Sequence, residues 1–502
     1  MKARNFILIL AVATCAVMFL ADAPGWADKP VKPPKVKPIK PPPDEEEPPD
    51  NPVDGFWFWR WGHMDGPHDS AKALGISRDG RVAVGSTVVV DFVRAWRSDI
   101  DWAIATDDGI PPLYNELQVQ ESLGLVAEAA YAASNMTVDP CPYDKLAENL
   151  DWCGSLPVGT LTTGTVSYGA QWLWAYVADA TDPNYVAIPD FGGGLSDMVI
   201  NDVSADDIST DTGSYILVGT GNTKTGMQAF RADTAVVDED LVPVPVQLTI
   251  TDTFYTEQTL QTSSAQAVSA DGTIIAGFGG TKRGNKAFVT TFLGIDGTTG
   301  EALLESYVLP AIDGGQWSEA YAMTVTDEGF VYIAGRSDSP KGPQACIWFL
   351  GDDPEAPGDV IWLVKGLGGL SKKKYDSVAT GIVYRPGAAD GDLMVVGFSK
   401  SILYPSEAFV WSGNPVLEPD GENDEFIGYM YDLEYILIKT GVGEASLMGS
   451  SWILNEATGV ALYEDGTARI VGWGINPEGG VEAWVVTGYP EDELTTILTH
   501  DE

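Results

Sequence analysis

One pattern constrains this chain more than any other. A glycine closes a short apolar run, and ten or eleven residues later come an alanine and, in most copies, an aromatic side chain. The glycines are Gly85, Gly159, Gly219, Gly277, Gly335, Gly397 and Gly472; the alanines are Ala95, Ala170, Ala229, Ala287, Ala345, Ala408 and Ala483. Their spacings are 10, 11, 10, 10, 10, 11 and 11 residues. Seven recurrences this narrow define an internal repeat. Alanine-to-alanine intervals of 75, 59, 58, 58, 63 and 75 set the unit at about 60 residues, with insertions in the first and last.

Each unit carries four strand signals. Asp79-Gly80, Asp271-Gly272 and Asp465-Gly466 are tight hairpin turns, because these residue types tolerate positive φ. A small-residue strand such as Ala320-Tyr321-Ala322 suits the crowded place nearest an axis, and a fourth strand such as Val360–Val364 leads to a Gly-rich connector. Seven four-stranded units predict an all-β fold, a seven-bladed β-propeller. A parallel β-helix is the rival, but its turns are shorter and lack three hairpins per unit. The aromatic run Phe56-Trp57-Phe58-Trp59 is expected to close the ring as the outer strand of the last blade, with Leu494–Leu498 competing for that place.

The tripeptides Arg94-Ala95-Trp96, Gln228-Ala229-Phe230, Lys286-Ala287-Phe288, Gln344-Ala345-Cys346, Glu407-Ala408-Phe409 and Glu482-Ala483-Trp484 resemble the HAF-type extracellular repeat, named for His-Ala-Phe. Gly169-Ala170-Gln171 is a degenerate copy, and His is absent from every first position. The resemblance covers the chain after residue 54. It implies an exported, repetitive protein, usually without an assigned catalytic activity.

Three segments follow. Residues 1–27 read as a cleaved signal peptide: Lys2 and Arg4, an apolar stretch from Phe6 to Ala21, and a small-x-small site at Gly25-Trp26-Ala27. Residues 28–54, with ten Pro, five Lys and seven acids, form an extended linker that is basic from Lys29 to Lys40 and acidic from Asp44 to Asp54. Residues 55–502 form the repeat domain. The expected localisation is secreted, periplasmic or cell-surface, with no membrane insertion after signal cleavage.

Charge excludes one class of partner. Asp and Glu number 72 against 29 Lys and Arg, a formal net charge of −43, which repels nucleic-acid phosphates. The ligand-recognition partner is left as an unknown protein or glycan, and the chain as a monomer.

Catalytic signatures are sparse. The three His residues, His63, His68 and His500, support neither a Ser-His-Asp triad nor a transition-metal site. No calcium loop occurs; Asp420–Glu425 matches one in composition only, so no cofactor is expected beyond weak, non-specific divalent cation binding. Cys141 and Cys153 flank an insertion and are expected to form a disulfide in an oxidising compartment, whereas Cys346, in the aromatic slot of its repeat, reads as a buried thiol.

What varies between copies is the loop after the second strand: Lys282-Arg283-Gly284, Asp338–Gly342, Ile402–Pro405 and Asn476-Pro477-Glu478. Variable loops on a constant frame are the mark of display on a scaffold, though solvated turns also drift. The leading reading is a non-catalytic binding or surface-interaction module. The alternative is a carbohydrate-active enzyme, a glycoside hydrolase or lyase using paired carboxylates at the axial mouth.

Overall fold

The computed structural model describes residues 57–60, 70–89, 92–100, 115–116, 126–133, 157–163, 166–172, 185–188, 198–204, 215–224, 226–237, 243–252, 259–299, 301–352, 360–371, 374–386, 393–401, 404–413, 428–439, 452–463 and 466–488. Both cysteines of the expected disulfide, all three histidines, the signal and linker segments, Asp420–Glu425 and Leu494–Leu498 lie outside them.

These residues build an all-β propeller fold from four-stranded antiparallel sheets. Sheet I comprises β2 (Ser70–Ile76), β3 (Val82–Val89), β4 (Phe92–Asp99) and β5 (Asn115–Glu116); sheet II comprises β6 (Val126–Ala133), β7 (Pro157–Thr163), β8 (Val166–Trp172) and β9 (Tyr185–Ile188). Sheet III holds β10 (Met198–Val203), β11 (Ile216–Thr223), β12 (Gly226–Val237) and β13 (Pro243–Leu248). Sheet IV holds β14 (Thr262–Val268), β15 (Ile274–Thr281), β16 (Gly284–Ile295) and β17 (Ala302–Val308). Sheet V contains β18 (Ser318–Val325), β19 (Val331–Ser337), β20 (Gln344–Asp352) and β21 (Val360–Gly368). Sheet VI contains β22 (Ser377–Tyr384), β23 (Leu393–Ser399), β24 (Glu407–Gly413) and β25 (Gly428–Asp432). Sheet VII is β26 (Ile453–Leu462), β27 (Ala468–Ile475) and β28 (Val481–Gly488), completed by β1 (Trp57–Arg60) from the other end of the chain. Phe58 pairs with Val486 and meets Trp452 edge-on at 5.4 Å between ring centroids, so its half-buried ring packs against the sheet that β1 completes.

The repeated glycine has a steric cause. Every first strand carries a bulge, and each marker glycine lies opposite the residue just before it: Ala73 with Gly85, Ala130 with Gly159, Ile200 with Gly219, Ala265 with Gly277, Ala320 with Gly335, Ala379 with Gly397, Ala457 with Gly472. The bulge turns a carbonyl toward the second strand. A Cβ on Gly335 would stand 2.1 Å from the Glu319 oxygen, and one on Gly472 would meet both Glu456 O at 2.1 Å and the Trp484 ring at 2.4 Å. On the other side the same glycine faces the aromatic slot: Trp96, Phe230, Phe288, Phe409 and Trp484, all buried, with Cys346 in sheet V.

The second copy departs from this frame. Gly159 pairs with Ala170 itself, so Ala170 fills the aromatic slot instead of the alanine position before it. The hairpin between β7 and β8 sets that register, and the small residues Gly169 and Ala170 supply no ring to pin another.

Consecutive sheets are tied by hydrogen bonds to the first strand, or its approach, of the next sheet. The backbone N–H groups of Ala229, Ala287 and Ala345 donate to Ser263, Ser318 and Ser377 at 2.9, 3.0 and 2.8 Å. Asn201 and Thr380, bulged residues of sheets III and VI, donate to the carbonyls of Ala265 and Ala457 at 2.7 and 2.6 Å. Thr458 of sheet VII makes the equivalent bond to Ala73 of sheet I at 3.0 Å. Apolar clusters fill the seams between sheets; that between VI and VII also receives Leu433, Ile436 and Leu437 of α1 (Leu433–Lys439). Their i, i+3, i+4 spacing gives this short helix one apolar face, and Asp432 caps it by accepting from Glu434 N at 2.9 Å.

Candidate functional site

One register level differs from the constant frame. The residue after each marker glycine, with its first-strand partner, reads Ser86–Lys72, Thr160–Ala129, Thr220–Val199, Phe278–Ser264, Arg336–Glu319, Phe398–Val378 and Trp473–Glu456 in sheets I to VII. Charged side chains at this level gather on sheets V, VII and I. Two local clusters result.

The first lies at the seam of sheets IV and V. Glu319 is buried and accepts from Arg336 Nε at 2.8 Å, from Asn285 Nδ2 at 2.6 Å and from the Tyr321 hydroxyl; Arg336 Nη2 stands 2.7 Å from the same carboxylate. The guanidinium in turn lies 5.2 Å from the centre of the half-buried Trp317 ring. Trp317 is gripped from both sides by expected display loops. A Cβ on Gly284 would meet its Cβ at 3.1 Å, and its carbonyl accepts from Asp338 N at 3.0 Å. Gly284 has φ of 121°, which lets the chain turn tightly beside the indole. Phe278 and Tyr321 meet edge-on at 5.9 Å below. The guanidinium is thus oriented before any ligand arrives, with the Trp317 ring beside it, a surface suited to a polar, flat-faced group.

The second cluster lies between sheets VII and I. Lys72 Nζ stands 4.0 Å over the Trp473 ring, and Trp473 Nε1 donates to Glu456 at 3.1 Å. Burial of Glu456 pushes its carboxyl up to about 7, against the opposing pull of the Lys72 charge and the indole hydrogen bond.

Of the display loops, 282–284, 338–342 and 476–478 are described, all at the end of the sheets where the first strands begin. Loop 338–342 also brings Lys341 Nζ to the Tyr375 hydroxyl at 3.2 Å. Residues 402 and 403 lie outside the described set. Cys346 is a buried free thiol pushed well above its ordinary range by burial. Among the described residues, no three His, Cys, Asp or Glu side chains come together as metal ligands would. Among the same residues no helix is long and apolar enough to cross a membrane.

Trp317, Glu319, Arg336, Glu456 and Trp473 were not singled out by motif. The signal for four of them was present: Arg336 and Trp473 follow marker glycines, and Glu319 and Glu456 each stand one residue before the first-strand partner of a marker glycine, so comparing copies at that offset isolates them.

No protein-family model matches the sequence, and no curated protein is similar to it. Among solved structures, the chain is similar to the β-propeller domain of the Trilobed protease from Pyrococcus furiosus, at 13% identity over 72% of this chain and 81% of that one, with a TM-score of 0.32. It is also similar to Sqt1 from Chaetomium thermophilum, at 12% identity over 86% and 98%, TM-score 0.36. A third is the polysaccharide lyase Uly1, at 11% identity over 86% and 91%, TM-score 0.40. The likeness is one of fold only.

Proposed function

We propose that this chain is an exported, non-catalytic binding module: a seven-bladed propeller, closed by β1, that displays a recognition surface at the end where its first strands begin. Export rests on the signal-like residues 1–27, and the HAF-type reading on the Gly-Ala-aromatic frame. The observation that carries the binding reading is Trp317, held between two variable loops above an Arg336 that Glu319 and Asn285 have already oriented. A carboxylate so fully engaged as Glu319 is a positioning group, poorly suited to act as a general acid or base.

The ligand is a protein or glycan bound without turnover and without a cofactor. Screening residues 28–502 against immobilised glycans and extracellular proteins tests this. A ligand retained by the wild type and weakened at least tenfold by Trp317→Ala or Arg336→Ala supports it; undiminished retention by both variants counts against this surface.

One observation favours the enzymatic alternative. Glu456, raised to about 7, has the proton affinity of a general acid, and sits at the same register level as Glu319 on a second sheet. Polysaccharide cleavage abolished by Glu456→Gln would move the protein into that class.

A further inference from the structure

A separate cleft opens at the opposite end of the sheets, on the outer side of the seam between IV and V. It encloses about 200 Å³. Its walls are Val289, Thr291 and Glu305 from sheet IV, and Val331, Leu350 and Trp362 from sheet V. Tyr307 tilts against Trp362 at 6.4 Å between centroids and donates to Glu305 at 3.0 Å, fixing the carboxylate at the rim. The Trp362 indole N–H has no acceptor among the described residues. Leu350 is 43% exposed on this wall, and Leu303, two residues before Glu305 on the same strand, is 46% exposed. Large apolar side chains left in water beside a cleft mark an interaction surface.

Acids outnumber bases around it, with Arg231 of sheet III over the Phe292 ring at 4.2 Å and Lys365 directly after the last cleft segment. The segments that form the cleft and its rim, residues 289–307, 326–334 and 360–364, contain Asp296, Glu301, Glu305, Asp327 and Glu328 and no Lys or Arg. An apolar floor inside an acidic rim selects its occupant. An anionic lipid surface or a second copy of this acidic domain would bring like charge onto the rim, which costs free energy. A cationic, partly apolar segment satisfies both features.

We propose that this cleft docks an extended partner peptide, seating an apolar side chain against Trp362 and Leu350 and placing a neighbouring Lys or Arg on Glu305. The cleft is at the other end of the sheets from Trp317, so this site stands apart from the recognition surface above.

The test uses residues 28–502 and three fluorescein-labelled ten-residue peptides: alternating Lys/Leu, alternating Lys/Ser and alternating Glu/Leu, followed by anisotropy in 0.15 M salt. The Lys/Leu peptide is expected to bind at least tenfold more tightly than the other two. Leu303→Ser/Leu350→Ser should weaken it about tenfold, Glu305→Gln several-fold, and Trp317→Ala not at all. Both leucines are exposed, so these variants retain the fold; an unchanged thermal midpoint checks that. Equal binding of the two Lys peptides, or indifference to the leucine and Glu305 changes, would show general attraction to an acidic surface and overturn the proposal. So would a concentration-dependent dimer abolished by the leucine variant, which would assign the face to self-association, or no binding of any peptide.

Discussion

Arg78 reaches from the first turn of sheet I to Asp202 on the first strand of sheet III, with Nη2 at 3.2 Å from Oδ2. The same guanidinium donates to the Val268 carbonyl of sheet IV, while Asp202 accepts from Val268 N at 2.8 Å. Sheets III and IV are not neighbours of sheet I in chain order, so Arg78 is a strut between first strands rather than part of a seam. Burial raises the Asp202 carboxyl above its ordinary range, with the Arg78 charge the largest opposing influence.

Removing one end of that strut should cost more than removing both. Arg78→Met is expected to destabilise by about 1–3 kcal/mol, because Asp202 keeps its partly buried charge without a counter-ion. Arg78→Met/Asp202→Asn should recover part of the loss. Chemical denaturation of wild type, Arg78→Met, Asp202→Asn and the double variant gives the coupling energy; additive losses would show that the pair does not interact.

The marker glycines respond to a single methyl group. Gly335→Ala places a Cβ 2.1 Å from the Glu319 oxygen and should cost about 2–3 kcal/mol as the bulge is forced outward. Gly297→Ala, with nothing within 4 Å of the added carbon, should be nearly neutral. Equal thermal midpoints for the two variants would contradict the steric account.

This also marks how far the sequence could be read. The glycines and the Asp-Gly turns are legible because each answers a local steric demand: Gly80 and Gly272 have φ of 70° and 73°, inside matching Ser-x-Asp-Gly turns. In both turns the serine hydroxyl accepts from the residue five positions on, at 2.9 Å. The pairing of β1 with β28 was legible because four consecutive large residues, Phe56–Trp59, read as an outer strand of the last sheet. Ala170 was misplaced because a hairpin register, not a motif, decides which residue faces Gly159. The Asn285–Glu319 and Arg78–Asp202 contacts join residues 34 and 124 positions apart, and nothing local in either residue announces its partner.

Acidity should affect stability through Glu456. Its folded pKa, about 7, lies above the ordinary value of 4.5, so the folded state holds this proton more tightly than the unfolded chain. The contribution is therefore full below about pH 4.5 and is lost as pH rises through 7. Glu434, raised to about 7 by burial and by Asp432 and Glu407, acts in the same direction. Glu456→Gln keeps an acceptor for Trp473 and cannot ionise, so it should stabilise relative to wild type at pH 8, by about 1–2 kcal/mol, and leave stability at pH 4 nearly unchanged. Thermal midpoints at the two pH values decide this; the same shift at both would rule out titration of Glu456.

The cysteines offer a simple count. If Cys141 and Cys153 are bonded, the unfolded, non-reduced chain lacking residues 1–27 should show one reactive thiol, that of Cys346. Three would leave the pair reduced.

Closure of the propeller is tested most directly by an experimental structure of residues 28–502 that resolves each sheet. The account predicts seven blades around one axis, β1 paired with β28 as the outer strand of the last, and Thr458 bonded to Ala73 across the closing seam. Six blades in the ring, with residues 126–188 outside it, or a last blade closed by residues 494–498 in place of β1, would contradict it.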